Sequence, residues 1–166
     1  MIPPIIIDIE ASGFGKNSYP IEIGYIAEDA ETWCCLIKPE ADWKHWDETA
    51  ESTHGISRER LAELGKPAGV VAQLMNDRLQ NCTVYTDGWG HDFIWLSLLF
   101  ETANISPHFK IEDLRKVLKP HQEAIWEVTK SQVQEELKAH RHRASSDAQV
   151  IQLTWLRTRA AYEASR

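Results

Sequence analysis

The stretch that decides the fold lies near the amino terminus and reads Ile5-Ile6-Ile7-Asp8-Ile9-Glu10-Ala11-Ser12-Gly13-Phe14. Residues 5–9 are apolar and β-branched apart from Asp8, which is typical of a strand buried on both faces of a sheet. The turn-forming residues 12–18 follow and end the strand. We therefore expect residues 5–9 to form a central strand, with the rest of the chain arranged around it.

The downstream pattern predicts a mixed α/β sheet. Residues 20–26 alternate with period two, and residues 32–37 follow a polar turn, so the first three strands should form an antiparallel meander. Beyond them strands and helices interleave. The predicted elements are two helices between residues 57 and 79 that part at 65–67, a strand at 83–86, a helix through 93–100 ending near 104, a weak strand at 109–111, helical segments at 113–118 and 131–140, and a last helix capped by Ser145 or Ser146.

The composition indicates one soluble globular domain over residues 1–166. Hydrophobic residues make up 43% of the chain, which excludes an intrinsically disordered protein. The net charge of −7 argues against a protein that coats duplex DNA through positive charge. A long apolar run and a basic leader are both absent, so we expect a cytoplasmic protein with no membrane partner. The three cysteines have neither zinc nor disulfide spacing, which predicts reduced thiols.

Two carboxylates at the end of the first strand suggest a metal site. Asp8 and Glu10 are two residues apart, so both side chains project from the same face of the strand. Buried carboxylates need a counter-charge, and hard divalent cations take oxygen ligands of this kind. The spacing alone is weak evidence, because Asp29 and Glu31 repeat it in what looks like an ordinary solvated turn.

Three further residues with the same chemistry lie at predicted element boundaries. Asp92 falls in the first turn of the helix after the fourth strand, while His142 and Asp147 flank the start of the last helix. Each has a structural explanation when taken alone. Asp92 suits the positive end of a helix dipole, and the spacing of His142 and Asp147 is repeated by His108 and Asp113.

Taken in order, these residues resemble the DEDDh family of 3′–5′ exonucleases, in particular members related to ribonuclease T and exonuclease X. The matching motifs are residues 8–14, 92–96 and 142–148, and the His54-Gly55-Ile56-Ser57 turn also looks like one frequent in these enzymes. The resemblance runs from about residue 5 to residue 156. It implies a ribonuclease H-like α/β fold, with a five-stranded mixed sheet flanked by helices.

The resemblance also implies a mechanism based on two divalent metal ions, Mg²⁺ or Mn²⁺. Asp8, Glu10 and Asp147 would ligate one ion, Asp8 would bridge to a second ion supported by Asp92, and His142 would deprotonate the attacking water. The expected substrate is the 3′ end of single-stranded DNA or RNA, with release of nucleoside 5′-monophosphates.

The resemblance assigns substrate binding to the first and third motifs. The residues concerned are Ser12, Gly13, Phe14 and Arg143. Phe14 either stacks on the terminal bases or plugs the core beside the turn. Arg143 belongs to a cationic group with Lys138, His140 and Arg141, which either binds phosphates or is a solvated helix end.

Several alternatives stay open from the sequence. Many relatives carry His-Asn just ahead of the second-motif aspartate, where this chain has Asp87 and Gly88, so Asp87 could assist or replace Asp92. Trp43 and Trp46 could form a second stacking surface or belong to the core. The rival functions are a non-catalytic nucleic-acid-binding module and a metal-dependent phosphatase or nucleotidase. The sequence does not decide between DNA and RNA, or between monomer and homodimer.

Overall fold

The computed structural model of the chain describes residues 2–137 and 142–164. The strands in this part of the chain are β1 (Ile5–Ala11), β2 (Pro20–Ile26), β3 (Thr32–Leu36), β4 (Thr83–Thr86) and β5 (Lys110–Asp113). The α helices are α1 (Glu48–His54), α2 (Arg58–Leu64), α3 (Ala68–Leu79), α4 (Trp89–Ala103), α5 (Pro120–Leu137) and α6 (Ala144–Ala164), and a 3₁₀ turn covers Leu114–Val117. None of the helices within these two ranges is long and apolar enough to cross a membrane.

The five strands form one mixed sheet in the order β3-β2-β1-β4-β5. β1 pairs antiparallel with β2 and parallel with β4, while β2 pairs antiparallel with β3 and β4 pairs parallel with β5. The apolar run at residues 5–9 is therefore the central strand, as its composition predicted. The predicted five-stranded mixed sheet with three antiparallel strands at its start is confirmed.

The two faces of β1 support different layers, as the period of a strand requires. Ile5, Ile7 and Ile9 face one side and belong to the larger core, which includes buried residues of α3 and α4. Ile6 faces the other side and packs with Ile151 and other buried residues of α6. Asp8 and Glu10 alternate along the strand with Ile7 and Ile9. They therefore lie on the same face as Ile6, the face that packs against α6. The strand thus passes from apolar contact to carboxylates along a single face.

The helices differ from the sequence expectations in three places. The helix expected at 131–140 begins at residue 120, since exposed Ile125 and Val128 leave its early turns without a clear apolar face. Its expected end at 140 lies outside the described residues. The helical segment expected at 113–118 is a single 3₁₀ turn at Leu114–Val117, and α1 was not predicted at all.

The expected cap of the last helix is also wrong. α6 starts at Ala144, so Ser145 and Ser146 lie inside its first turn. The backbone N–H of Ala144 instead donates to the carboxylate of Glu22 on β2, at 3.0 Å. An acceptor from a distant strand has taken the place of a local serine cap, which a search for local capping residues cannot find.

Candidate active site

Three carboxylates meet at the carboxyl end of β1. Asp8 and Glu10 come from that strand, and Asp147 comes from the first turn of α6. Oxygen atoms of the three side chains lie within 4.8 Å of one another. The sheet and the last helix therefore bring together residues from the two ends of the chain, in an arrangement that could hold a cation.

Asp92 from α4 lies beside this group and is almost fully buried, at 4% exposure. Its carboxylate accepts a short hydrogen bond from the hydroxyl of Thr86, the last residue of β4. The same hydroxyl oxygen accepts the backbone N–H of Gly88 at 2.9 Å, so the turn into α4 is tied to Asp92. The fourth carboxylate is thus held in place by its own strand and turn.

Burial, and for most of them the neighbouring carboxylates, raise the pKa values of these four carboxyl groups. Burial and the neighbouring carboxylates raise the pKa of Asp8 well above its ordinary value, and Asp92 is the strongest of those neighbours. Burial, then Asp147, raise the pKa of Glu10 to about 8. Burial raises the pKa of Asp92 to about 7, although the Thr86 hydrogen bond opposes the shift. Burial also raises the pKa of Asp147.

This set of donors fits a hard divalent cation. The ligands are all carboxylate oxygens, which Mg²⁺ and Mn²⁺ prefer, and imidazole or thiolate ligands are not needed. A bound cation would offset the mutual repulsion that raises these pKa values. The residues present therefore suit the metal ions that the sequence resemblance implied.

His142 stands at the mouth of the site on the loop before α6. Its backbone has a left-handed conformation, with φ of 64°, and its side chain is exposed. Its backbone N–H hydrogen bonds to the Asp147 carboxylate, and its side chain lines the same cleft as Asp8, Glu10 and Asp92. The cleft has a volume of about 450 Å³. An accessible imidazole thus stands beside the carboxylates, where it can exchange protons with solvent or substrate.

Phe14 forms part of the cleft wall and is 68% exposed, so it does not plug the core. Its ring contacts His91 and Trp95 of α4, with ring centroids 5.1 and 6.0 Å apart. The exposed ring leaves a face on which a planar group could stack. Of the two roles that the sequence left open for Phe14, a plug in the core is therefore excluded. The ring lies at the surface of the cleft that Asp8, Glu10 and Asp92 also line.

Ser12 and Gly13 shape the turn that presents Phe14. Ser12 is fully buried; its hydroxyl accepts the backbone N–H of Tyr19 at 3.1 Å and lies 2.9 Å from His45 Nδ1. Gly13 has φ of 142°, and a Cβ there would lie 2.6 Å from the Cβ of Asp47. Only glycine fits this backbone and this contact. Direct contact of either residue with substrate stays a prediction.

Asp87 and Asp92, the two candidates for the second-motif aspartate, have different environments. Asp87 forms an ion pair with Lys130 of α5, with Nζ 2.7 Å from its carboxylate. Asp92 has no ion-pair partner among residues 2–137 and 142–164. Both Asp87 and Lys130 border a smaller cavity of about 320 Å³ together with Asp8 and Asp147. Asp87 therefore lies at the edge of the site, and its charge is already matched by a lysine.

Arg143 forms a bidentate ion pair with Glu22, in which Nη2 lies 2.6 Å and Nε 3.0 Å from the carboxylate oxygens. Contact of Arg143 with phosphate stays a prediction. The other members of its cationic group, Lys138, His140 and Arg141, lie outside the described residues.

Trp43, which the sequence left as either a stacking surface or a core residue, belongs to the core. It is buried and stacks on Tyr19, with ring centroids 5.0 Å apart.

The turn at residues 54–57 joins two helices beside the site. His54 ends α1, Gly55 follows in the left-handed conformation with φ of 69°, and the Ser57 hydroxyl accepts the Arg60 N–H at the start of α2. Glycine is favoured where a helix ends with a positive φ. The motif therefore has a structural explanation in this chain.

Sequence reasoning missed three residues around the site: Glu22, Thr86 and Lys130. Glu22 had a signal, because a charged residue on an alternating strand otherwise rich in isoleucine is unusual unless it is paired. Thr86 and Lys130 had none, since a threonine in a strand and a lysine on a polar helix are ordinary.

Comparison with known proteins supports the fold assignment. No family model matches the chain, and no curated protein matches it. Among solved structures, E. coli exonuclease I in complex with a 5cy-dA13 oligonucleotide has a TM-score of 0.68 at 13% identity, covering 95% of this chain and 41% of that one. The zinc-ion-bound E. coli exonuclease I complex with single-stranded DNA has a TM-score of 0.58 at 15% sequence identity, covering 70% of this chain and 29% of that one.

A thermophilic relative of that enzyme gives a similar result. Exonuclease I from Methylocaldum szegediense has a TM-score of 0.60 at 14% identity, covering 76% of this chain and 30% of that one. This chain thus spans less than half the length of the exonuclease I chains it matches. At these identities the similarity establishes the fold, which is the ribonuclease H-like α/β fold that the sequence resemblance implied.

Proposed function

We propose that this protein is a metal-dependent 3′–5′ exonuclease that hydrolyses phosphodiester bonds at the 3′ end of single-stranded nucleic acid and releases nucleoside 5′-monophosphates. The observation that carries the proposal is the group of Asp8, Glu10 and Asp147, whose oxygens lie within 4.8 Å of one another, beside a cleft that Asp8, Glu10 and Asp92 line. Exonuclease I, whose structures with single-stranded DNA and with an oligonucleotide share the fold, supports a nucleic-acid substrate for this chain.

The carboxylates are assigned to two Mg²⁺ or Mn²⁺ ions. Asp8, Glu10 and Asp147 would hold one ion, because their oxygens already lie within 4.8 Å of one another. Asp8 and Asp92 would hold the second. When bound, such ions supply positive charge for the phosphate and the leaving oxygen and favour ionisation of water near neutral pH.

His142 is proposed as the general base. Its exposed imidazole lines the cleft next to Asp147, so it can accept a proton from the attacking water and pass it to solvent. Imidazole changes its protonation near neutral pH, which suits this task. The link between the His142 N–H and Asp147 keeps base and carboxylate together.

Phe14 is proposed to contact the terminal bases. Its exposed ring lies on the cleft wall that leads to the carboxylates. Stacking on an aromatic ring accepts any base, which suits an enzyme that removes successive nucleotides. Ser12 and Gly13 would contribute by holding the turn in shape and through their backbone beside the strand end.

Comparing substrates tests the proposal. Single-stranded DNA and RNA oligonucleotides, a duplex and p-nitrophenyl phosphate would each be incubated with Mg²⁺, with Mn²⁺ and with excess EDTA. We expect turnover of a single-stranded oligonucleotide with metal only, and the DNA and RNA arms decide the sugar preference. Turnover of p-nitrophenyl phosphate alone would favour the phosphatase alternative, and binding without turnover would favour the non-catalytic module.

A further inference from the structure

An ion pair between the half-buried Arg143 and the fully buried Glu22 lies on the same face of the sheet as Asp8 and Glu10. Glu22 on β2 is fully buried and stands opposite Glu10 in the antiparallel pairing with β1, so both side chains lie on the sheet face that carries α6. The Glu22 carboxylate accepts hydrogen bonds from Arg143 Nε and Nη2 and, at 3.0 Å, from the backbone N–H of Ala144. One side chain on β2 therefore binds both Arg143, which precedes α6, and Ala144, its first residue.

The neighbouring part of β2 is shaped for the same contact. Gly24, two residues along on the same face, pairs with Asp8. A Cβ at Gly24 would lie 2.6 Å from the backbone nitrogen of Ser145 and 2.9 Å from the carbonyl carbon of Ala144. The backbone at the start of α6 thus packs directly against the backbone of β2. Gly24 allows this close contact because it has no side chain, and Glu22 accepts the hydrogen bonds.

We propose that Glu22 and Arg143 are positioning residues that seat the first turn of α6, and with it Asp147 and His142, against Asp8 and Glu10. The catalytic consequence rests on the proposed exonuclease function. Arg143 is joined to His142 through the chain, and Asp147 lies one helical turn further along. The guanidinium of Arg143 is held by Glu22. His142 and Asp147 therefore cannot move far from Asp8 and Glu10 unless two or three charge-assisted hydrogen bonds to Glu22 break.

This role differs from phosphate binding by Arg143. A guanidinium that contacts phosphate through its Nε and Nη2 would have to leave a fully buried carboxylate, and an isolated buried charge is costly. A phosphate contact predicts weaker substrate binding when the arginine is lost. A positioning role predicts weaker metal binding and slower turnover with the substrate KM unchanged, because outer groups act through the ligands they orient.

The test compares Arg143→Gln and Glu22→Gln with Arg157→Gln. Arg157 forms a similar bidentate pair with Glu136, between α6 and α5, but both partners are solvent-accessible and the pair lies away from the carboxylates. Arg143→Lys and Glu22→Asp serve as milder variants in case the glutamine variants do not fold. Each protein would be titrated with Mn²⁺ in a calorimeter and assayed for kcat and KM on a single-stranded oligonucleotide.

We expect the Mn²⁺ dissociation constant to rise about 10–100-fold in Arg143→Gln and Glu22→Gln, the usual effect of losing an outer-shell partner. We also expect a lower kcat, a KM within about twofold of wild type, and no change in Arg157→Gln. The double variant should be little worse than either single variant, because the two residues act as a unit. A raised KM with normal Mn²⁺ affinity and kcat would overturn the proposal in favour of phosphate binding.

Amide hydrogen exchange separates this proposal from the proposed function. In the metal-free protein without substrate, residues 144–150 should exchange faster in Arg143→Gln than in wild type and in Arg157→Gln. Unchanged exchange would refute the seating of α6 by this pair, whatever the activity. A wild type that degrades no nucleic acid would refute the exonuclease proposal and leave the exchange result to decide the positioning role.

Discussion

Replacing Glu10 with glutamine should stabilise the metal-free protein near neutral pH. Burial and the charges of Asp147, Glu22 and Asp92 raise the pKa of Glu10 from 4.5 to about 8. Between those values the folded protein holds a proton that the unfolded chain has released, so stability falls as pH rises. Glutamine has a similar shape and no charge, so the variant lacks this part of the pH dependence.

The size of the effect follows from the pKa. In the interval between the two pKa values each pH unit costs about 1.4 kcal/mol. Glu10 should therefore remove about 2–3 kcal/mol of stability between about pH 5.5 and about pH 7.5. For a chain of this length that corresponds to roughly 5–10 °C in Tm.

Thermal unfolding in excess EDTA and in Mn²⁺ measures this directly. Metal-free Glu10→Gln should unfold at a higher temperature than wild type at the higher pH and at nearly the same temperature at the lower one. Mn²⁺ should stabilise wild type far more than the variant. The control is Glu31→Gln, which removes a carboxylate with the same sequence spacing from an exposed turn. A metal-free Glu10→Gln protein that is less stable than wild type at about pH 7.5 would refute the reasoning.

Three further substitutions test the assigned roles. Asp147→Asn should abolish turnover and most of the stabilisation by Mn²⁺ while its circular dichroism spectrum stays that of wild type; retained single-turnover activity would contradict its role as a ligand. His142→Ala should lower turnover about 10²–10⁴-fold with Mn²⁺ affinity unchanged. His108→Ala, at an exposed loop position, is the control, and equal small effects would remove His142 from the mechanism. Phe14→Ala should weaken oligonucleotide binding by about 1–3 kcal/mol in a titration, whereas exposed Val128→Ala should not; equal binding by both would exclude stacking.

Much of the sheet could be predicted because its strands carry their own signal. The isoleucine run of β1 reflects burial on both faces, and burial is visible in sequence. β2 is buried at every residue too, and its alternation comes from Glu22 and Gly24, which face the start of α6. α5 was placed too late since its contacts with α6 leave Val128 of an early turn exposed. The start of α6 was misplaced because its cap, Glu22, is more than a hundred residues away in the chain.

The candidate site divides in the same way. Asp8, Glu10 and Asp147 were predicted to act together, and the fold brings their oxygens within 4.8 Å. Their catalytic roles stay predictions. The pairing of Arg143 with Glu22 and of Lys130 with Asp87 could not be predicted, because each depends on how separate elements pack. Sequence patterns thus identified the carboxylates of the candidate site. The tertiary structure determines which charged residues pair with one another, as Arg143 does with Glu22 and Lys130 with Asp87.

The most direct test of the central claim is the product pattern from a 5′-labelled single-stranded oligonucleotide, followed over time with Mn²⁺. The account predicts a ladder that shortens one nucleotide at a time from the 3′ end, release of nucleoside 5′-monophosphates, and no ladder in excess EDTA or with Asp8→Asn. Internal cuts, release from the 5′ end, or full activity in EDTA would contradict it.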